Sequence, residues 1–171
     1  MVAGAMEEKN LKLMESTCRR MGYAAEKYSV APMPPGNELP WFLDVLAVDD
    51  DLADLWLVTN ALRSNPRVRR TISSNLPDEA LQRLKEGSLF PSLIVVDLRM
   101  PKIDGFTFIS DLRTSPNLKH IPTILLTTSR FGRDAEMARA MSIQNYVVKP
   151  DTSDELRTRL SDIIAQIGNI Q

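Results

Sequence analysis

The chain has 171 residues and a mass of 19.2 kDa, which suits one domain of ordinary size and an additional segment. Its 21 basic and 22 acidic residues nearly cancel, and it has one cysteine and one histidine, so a strongly charged nucleic-acid or membrane binder, an internal disulfide and a thiolate or histidine-rich metal site are all excluded. No apolar run is long enough to span a membrane and no signal peptide is present, which predicts a soluble, cytoplasmic protein.

Residues 1–30 are predicted to form a helical extension. Its apolar positions are spaced alternately by three and four residues and comprise Leu11, Met14, Cys18, Met21, Ala25 and Tyr28. This stripe fits a helix that docks on its own domain or one that pairs with a second chain, and it is too short to separate the two. Both arrangements therefore stay open, and the second predicts a homodimer assisted by residues 6–28.

Residues 31–40 contain four prolines and one glycine and are predicted to be a linker. The folded domain is predicted to cover residues 41–171. In it, branched apolar runs at 43–48, 68–73, 93–96, 122–127 and 146–148 alternate with helical patterns at 52–64, 77–84, 106–113, 133–141 and 153–167. This alternation predicts an α/β domain, in which a parallel sheet has right-handed crossovers and helices on both faces.

The second predicted strand carries Arg67, Arg69 and Arg70. Charged residues of this kind protect an exposed sheet edge from pairing with other chains. A nucleic-acid patch is the alternative, but no reading helix accompanies the arginines. We therefore predict an edge strand and no nucleic-acid partner.

Polar side chains follow four of the predicted strands. Asp49, Asp50 and Asp51 end the first strand, Asp97 the third, Thr127 the fourth and Lys149 the fifth. The carboxyl ends of parallel strands share one edge of the sheet, where open α/β sheets bind their ligands. These groups are therefore expected to converge on one site.

Neighbouring carboxylates repel one another unless a cation lies between them, and oxygen ligands of this kind suit Mg²⁺. With a cation bound, Asp97 stays ionised and can attack phosphorus to form an aspartyl phosphate. Lys149 and the Thr127 hydroxyl can neutralise the phosphoryl oxygens. Each residue alone has a simpler interpretation: Asp51 is predicted to cap the first helix, and Asp97 could cap the helix that follows it.

From about residue 41 to residue 167 the chain resembles the receiver domain of two-component response regulators. The matching motifs are LAVDDD, IVVDLRMPKIDG, IPTILLTTS and NYVVKP. The resemblance implies a flavodoxin-like fold with five parallel strands in the order 2-1-3-4-5. It also implies that Asp97 is phosphorylated by a sensor histidine kinase or a histidine phosphotransfer protein, with Mg²⁺ as cofactor.

The resemblance assigns roles to individual residues. Asp50 would bind Mg²⁺ directly, Asp49 chiefly through water, and Arg99 through its backbone carbonyl, beside Asp97 itself. Thr127 and Lys149 would contact the phosphoryl group. The remaining roles are a switch aromatic at Tyr146 and lifetime-tuning positions at Arg99 and Ser129.

The resemblance implies a phosphoacceptor signalling protein, not an enzyme with a separate substrate. No output domain is expected after the last helix, so the signal would pass to an unknown downstream protein. Two alternatives remain open: a pseudo-receiver that binds partners without phosphorylation, and a phosphohydrolase whose nucleophile lies in an Asp49–Asp51 pair.

Overall fold

The computed structural model describes residues 42–129 and 132–168. The predictions for the helical extension and the linker lie outside these ranges. Within them the elements are β1 (Leu43–Val48), α1 (Leu52–Arg63), β2 (Val68–Ser74), α2 (Pro77–Lys85), β3 (Leu93–Asp97), α3 (Gly105–Thr114), β4 (Thr123–Thr127), α4 (Gly132–Ala140), β5 (Asn145–Val148) and α5 (Ser153–Gly168). These bounds agree with the sequence-based prediction to within two residues. None of the helices in this part of the chain could cross a membrane.

The five strands form one parallel sheet in the order β2-β1-β3-β4-β5, which confirms the predicted topology. Alternate side chains of each strand point to opposite faces. Val45 packs in one core with α1 and α5, where Leu160 is buried. Leu46 packs in a second core with α2 and α3, where Phe108 is buried. Both faces of the sheet are therefore covered by helices, as predicted.

Arg69 and Arg70, the two arginines within β2, bind an acid of the neighbouring strand. Asp44 of β1 is only 7% exposed. Its carboxylate accepts hydrogen bonds from Arg69 Nε at 2.9 Å and from Arg70 Nη2 at 2.7 Å. These guanidinium groups neutralise a buried acid. β2 is an outer strand of the sheet, which confirms the predicted edge strand.

The strand register determines which residues meet at the carboxyl edge of the sheet. The aligned pairs nearest that edge are Val48 with Val96, Asp97 with Leu126 and Thr127 with Val148. Asp49 therefore lies level with Asp97, Thr127 extends one residue beyond Asp97, and Lys149 one beyond Thr127. The backbone N–H of Lys149 donates to the Thr127 carbonyl at 2.7 Å, which fixes the lysine at this edge.

Two of the helices that follow strand ends at this edge have aspartate caps. Asp51 accepts hydrogen bonds from the N–H groups of Ala53 and Asp54, so its predicted role as the cap of α1 is confirmed. Asp104 accepts from Thr107 N at 2.7 Å and caps α3. Since α3 already has this cap, Asp97 is not used for it.

Gly105, the first residue of α3, lets this helix begin against the end of β3. A Cβ atom on Gly105 would lie 2.5 Å from the Asp97 carbonyl oxygen and 2.6 Å from Leu125 Cδ1. No side chain fits there without displacement of backbone. The absence of a side chain thus keeps the β3–α3 connection close to Asp97.

Candidate functional site

Lys149 follows the outer strand β5, and its ammonium group joins three carboxylates at the carboxyl edge of the sheet. Its Nζ is 2.7 Å from Asp49 Oδ2, 2.7 Å from Asp54 Oδ2 and 2.7 Å from Asp97 Oδ1. Its side chain is only 10% exposed. The structure therefore brings together the predicted residues Asp49, Asp97 and Lys149, and adds Asp54 of α1.

The two carboxylates at the strand ends are buried and oriented by backbone N–H groups. Asp49 is 4% exposed and Asp97 is 7% exposed. Asp49 Oδ1 accepts from the N–H of Asp51 at 3.0 Å, and Asp97 Oδ2 accepts from the N–H of Arg99 at 2.5 Å. Each acid has one oxygen on a backbone donor and the other on Lys149, so both side chains are held in fixed positions.

Burial makes negative charge costly at this site. It raises the pKa of Asp49 to about 6, and the nearby Asp97 charge adds to that rise, whereas the hydrogen bond and charge of Lys149 lower it only in part. Burial alone would also lower the pKa of Lys149, but its hydrogen bonds to the three acids bring that pKa above its usual value. One positively charged lysine thus faces three carboxylates, and a second cation would compensate the remaining negative charge.

We expect Asp49→Asn to stabilise the metal-free protein by about 2 kcal/mol at neutral pH, because the raised pKa of Asp49 means that its ionised form destabilises the folded state. The unfolded carboxyl ionises at lower pH than the folded one. The gain should therefore be complete above about pH 6 and vanish below about pH 4. Urea unfolding with a chelator across this pH range measures it. Equal stability of the two proteins at neutral pH would contradict the prediction.

The acids of the site fit a hard cation such as Mg²⁺, although Lys149 now bridges two of them. In residues 42–129 and 132–168 no three acidic, histidine or cysteine side chains are close enough together to hold a metal ion. Mg²⁺ does not require three, since it characteristically takes one or two carboxylates, several waters and phosphate oxygens. Asp50 is exposed beside the buried pair. The donor set of Asp49, Asp50 and Asp97, all oxygen, therefore suits Mg²⁺.

Thr127, the predicted phosphoryl contact, ends β4, which is next to β3 in the sheet, and Tyr146, the predicted switch aromatic, lies on β5 beyond it. Thr127 is fully buried, and its Oγ1 accepts from the N–H of Ser129 at 3.0 Å. Tyr146 packs partly against the core. Its hydroxyl is buried and has no hydrogen-bond partner within the described part of the chain, and this burial, together with the charge of Asp134, raises the pKa of Tyr146.

Arg99 and Ser129, the predicted lifetime-tuning positions, share a partner on α4. Arg99 Nη2 donates to Asp134 Oδ2 at 2.6 Å. The side chain of Ser129 also hydrogen-bonds to the Asp134 carboxyl. Asp134 was not predicted to belong to the site, and neither was Asp54. Each is an acidic residue in the first turn of a helix, where a favourable interaction with the helix dipole already explains it.

Residues 45–161 match the family model described as the response regulator receiver domain. The chain belongs to this family. It is 31% identical over 110 residues to response regulator Rcp1 of Synechocystis, a match that covers 61% of this chain and 75% of Rcp1. It is 32% identical over 114 residues to the sensor histidine kinase CheAY of Helicobacter pylori, covering 67% of this chain.

Solved receiver structures have the same fold. The phosphorylated cyanobacterial phytochrome response regulator RcpA superimposes with a TM-score of 0.64 at 25% identity, over 71% of this chain and 91% of that protein. The Mn²⁺-bound form of Rcp1 gives a TM-score of 0.62 at 29% identity, with the same coverage. The length matched varies among the curated relatives, since the chain spans 14% of CheAY and 54% of the relative named probable methanogenesis regulatory protein FilR2, from Methanothrix harundinacea.

Proposed function

We propose that this response regulator receiver domain protein is a switch in which Asp97 accepts a phosphoryl group from a phosphohistidine donor. The observation that carries the proposal is the Asp97 carboxylate itself. It is buried at a strand end, bound by Lys149 at 2.7 Å, and level with the equally buried Asp49. A carboxylate held in one orientation beside a fixed cation is suited to attack on phosphorus.

The transfer forms a bond between one Asp97 carboxylate oxygen and phosphorus, and breaks the N–P bond of the donor. The released imidazole takes up a proton, and Asp97 becomes an acyl phosphate. Lys149 Nζ is positioned to neutralise a phosphoryl oxygen, and the Thr127 hydroxyl can donate a hydrogen bond to another. Neither residue forms a covalent bond, so their contribution is electrostatic.

Mg²⁺, when bound, supplies a further positive charge that keeps the carboxylates ionised and neutralises phosphoryl oxygens. Asp50 and Asp97 would hold it by their carboxylates, Asp49 chiefly through water, and Arg99 by its backbone carbonyl. The excess of acid over base around Lys149 supports this assignment. So does the exposure of Asp50, which leaves its carboxylate accessible to an ion from solution.

The response to phosphorylation would pass through Thr127 and Tyr146. If the Thr127 hydroxyl turns toward the phosphoryl group, it leaves the N–H of Ser129, to which it is now bound. Tyr146 lies one strand away with a buried hydroxyl that lacks a partner within the described residues, so its present position carries an energetic cost. A new position of this ring would change the surface of α4, β5 and α5 that a downstream protein contacts.

An apolar surface for the donor protein lies on α1. Leu52 is 67% exposed and Trp56 is 62% exposed, one helical turn apart, and α1 begins directly after the acids of β1. Exposed apolar side chains next to a site are typical of protein-binding surfaces. We infer that a sensor histidine kinase or a histidine phosphotransfer protein docks here, which places its phosphohistidine near Asp97.

The role of Asp50 in Mg²⁺ binding gives the test of this proposal. The wild-type protein with acetyl phosphate and Mg²⁺ should gain one phosphate by intact mass, and excess chelator should prevent the gain. Asp50→Asn should weaken Mg²⁺ binding by at least about tenfold, measured by titration calorimetry, because a carboxylate ligand is lost.

Asp51→Asn is the matched control, since it removes the same charge from the next residue. Asparagine caps a helix as well as aspartate does, and Asp51 faces the N–H groups of α1. Its Mg²⁺ affinity should stay within about twofold of wild type. An adduct that forms equally well with chelator, or equal losses of affinity in the two variants, would contradict the proposed site.

A further inference from the structure

Arg99 and Ser129 both contact the carboxylate of Asp134. They lie two positions after Asp97 and two positions after Thr127, respectively. Arg99 Nη2 lies 2.6 Å from Asp134 Oδ2. The Ser129 side chain hydrogen-bonds to the same carboxyl. Ser129 in turn donates its backbone N–H to Thr127 Oγ1. Asp134 on α4 is therefore connected both to the segment that follows Asp97 and to the segment that follows Thr127.

Asp134 is a charged partner for Arg99, not an incidental neighbour. It is only 7% exposed. The hydrogen bond from Ser129, together with the hydrogen bond and charge of Arg99 and the charge of Arg133, holds the pKa of Asp134 below its usual value even though burial opposes this. The carboxylate is therefore ionised at neutral pH. The Arg99 side chain remains 59% exposed, so it can leave this partner without crossing the core.

The backbone of Arg99 already contacts Asp97, the proposed phosphoryl acceptor. Its N–H donates to Asp97 Oδ2 at 2.5 Å, while its guanidinium is directed to α4. A phosphoryl group on Asp97 would carry nearly two negative charges and several acceptor oxygens. It would therefore compete with the single charge of Asp134 for the same guanidinium, which forms its strongest pairs with phosphate and carboxylate oxygens.

We propose that Asp134 is a positioning residue that shortens the lifetime of the Asp97 acyl phosphate by holding Arg99 on α4. This inference rests on the proposed function. The Arg99 guanidinium exchanges between two contacts, one with Asp134 and one with the phosphoryl group. When it covers the phosphoryl group, it obstructs the water that would otherwise attack phosphorus and break the bond to Asp97, releasing inorganic phosphate and the free carboxylate. When Asp134 holds Arg99, that water has access.

The competition also works in the opposite direction. Asp134 and the phosphoryl group compete for one guanidinium. Phosphorylation therefore weakens the Arg99–Asp134 ion pair, and Asp134 weakens the contact between Arg99 and the phosphoryl group, by the same free energy. The start of α4 then loses an ion pair when Asp97 is phosphorylated.

The test measures the half-life of the acyl phosphate after removal of acetyl phosphate, by intact mass, at fixed Mg²⁺. Asp134→Asn should lengthen the half-life by about threefold or more, because a partly exposed ion pair changes an equilibrium by a factor of this size. Arg99→Ala should shorten it. Adding Asp134→Asn to Arg99→Ala should cause no further change. Glu136→Gln removes one negative charge from an exposed position on the same helix and should leave the half-life at the wild-type value.

The double variant separates positioning of Arg99 from a general effect on α4. A longer half-life on Asp134→Asn that persists without Arg99 would overturn the inference, because Asp134 would then act through the fold. Equal half-lives in wild type and Asp134→Asn would also overturn it, while an adduct on both leaves the proposed function intact. If the wild type forms no adduct with acetyl phosphate and Mg²⁺, the proposed function fails, and this inference fails with it.

Discussion

Asp97→Asn is expected to form no acyl phosphate at all with acetyl phosphate and Mg²⁺. An amide is not a nucleophile toward phosphorus at neutral pH, whereas the carboxylate is. The amide oxygen can still accept from the N–H of Arg99 or from Lys149, as Asp97 does now. The fold should therefore remain intact, as checked by circular dichroism and thermal unfolding. Intact mass spectrometry of the treated protein measures the loss.

Asp104→Asn is the matched control for this experiment. Asp104 lies in the same connection between β3 and α3, and its carboxylate caps α3, which asparagine also does well. We expect this variant to be labelled as fully as wild type. Labelling of Asp97→Asn at the wild-type level would remove Asp97 as the acceptor.

Lys149→Met is expected to lower the free energy of unfolding by about 3 kcal/mol at neutral pH in the absence of Mg²⁺. Removal of one member of a buried charged group leaves the others uncompensated, and losses of this size are typical. Here two buried carboxylates, Asp49 and Asp97, would lose their shared cation. The pKa of Asp49, now about 6, would rise further, because the hydrogen bond and charge of Lys149 hold it down.

The dependence on pH distinguishes this effect from a loss of packing. As pH falls, protonation of Asp49 removes one of the uncompensated charges, so the deficit against wild type should be smaller at about pH 5 than at about pH 8. Lys85→Met is the control, since Lys85 pairs with Asp111 at 2.8 Å and both side chains are over 40% exposed. It should cost less than about 1 kcal/mol. Urea unfolding would contradict the prediction if both variants lost the same small amount.

The fold was predictable because the local patterns agree with the global arrangement. Each strand is a short apolar run between turn residues, and β3 ends at Asp97 where the apolar run stops. The edge position of β2 followed from its arginines. The meeting of Asp49, Asp97 and Lys149 followed from topology alone, because parallel strands end at one edge.

The contacts that were not predicted come from helices. Asp54 is 95 residues away from Lys149 along the chain, and Asp134 is 35 residues from Arg99. Both acids look like ordinary first-turn residues, and whether such a side chain reaches the sheet edge depends on the rotation of its helix on the core. No local spacing encodes that rotation. The predicted extension at residues 1–30 and the linker at 31–40 lie outside the described ranges and stay predictions.

The most direct test of the central claim is to locate the modified residue. The wild-type protein is treated with acetyl phosphate and Mg²⁺, reduced with borohydride, which converts an acyl phosphate to the corresponding alcohol, and mapped by peptide mass spectrometry. Asp49, Asp50 and Asp97 are the carboxylates to be distinguished. We expect reduction at Asp97 alone, and none when Mg²⁺ is chelated. Modification at Asp49 or Asp50 instead, or at no carboxylate, would contradict a phosphoacceptor switch at Asp97.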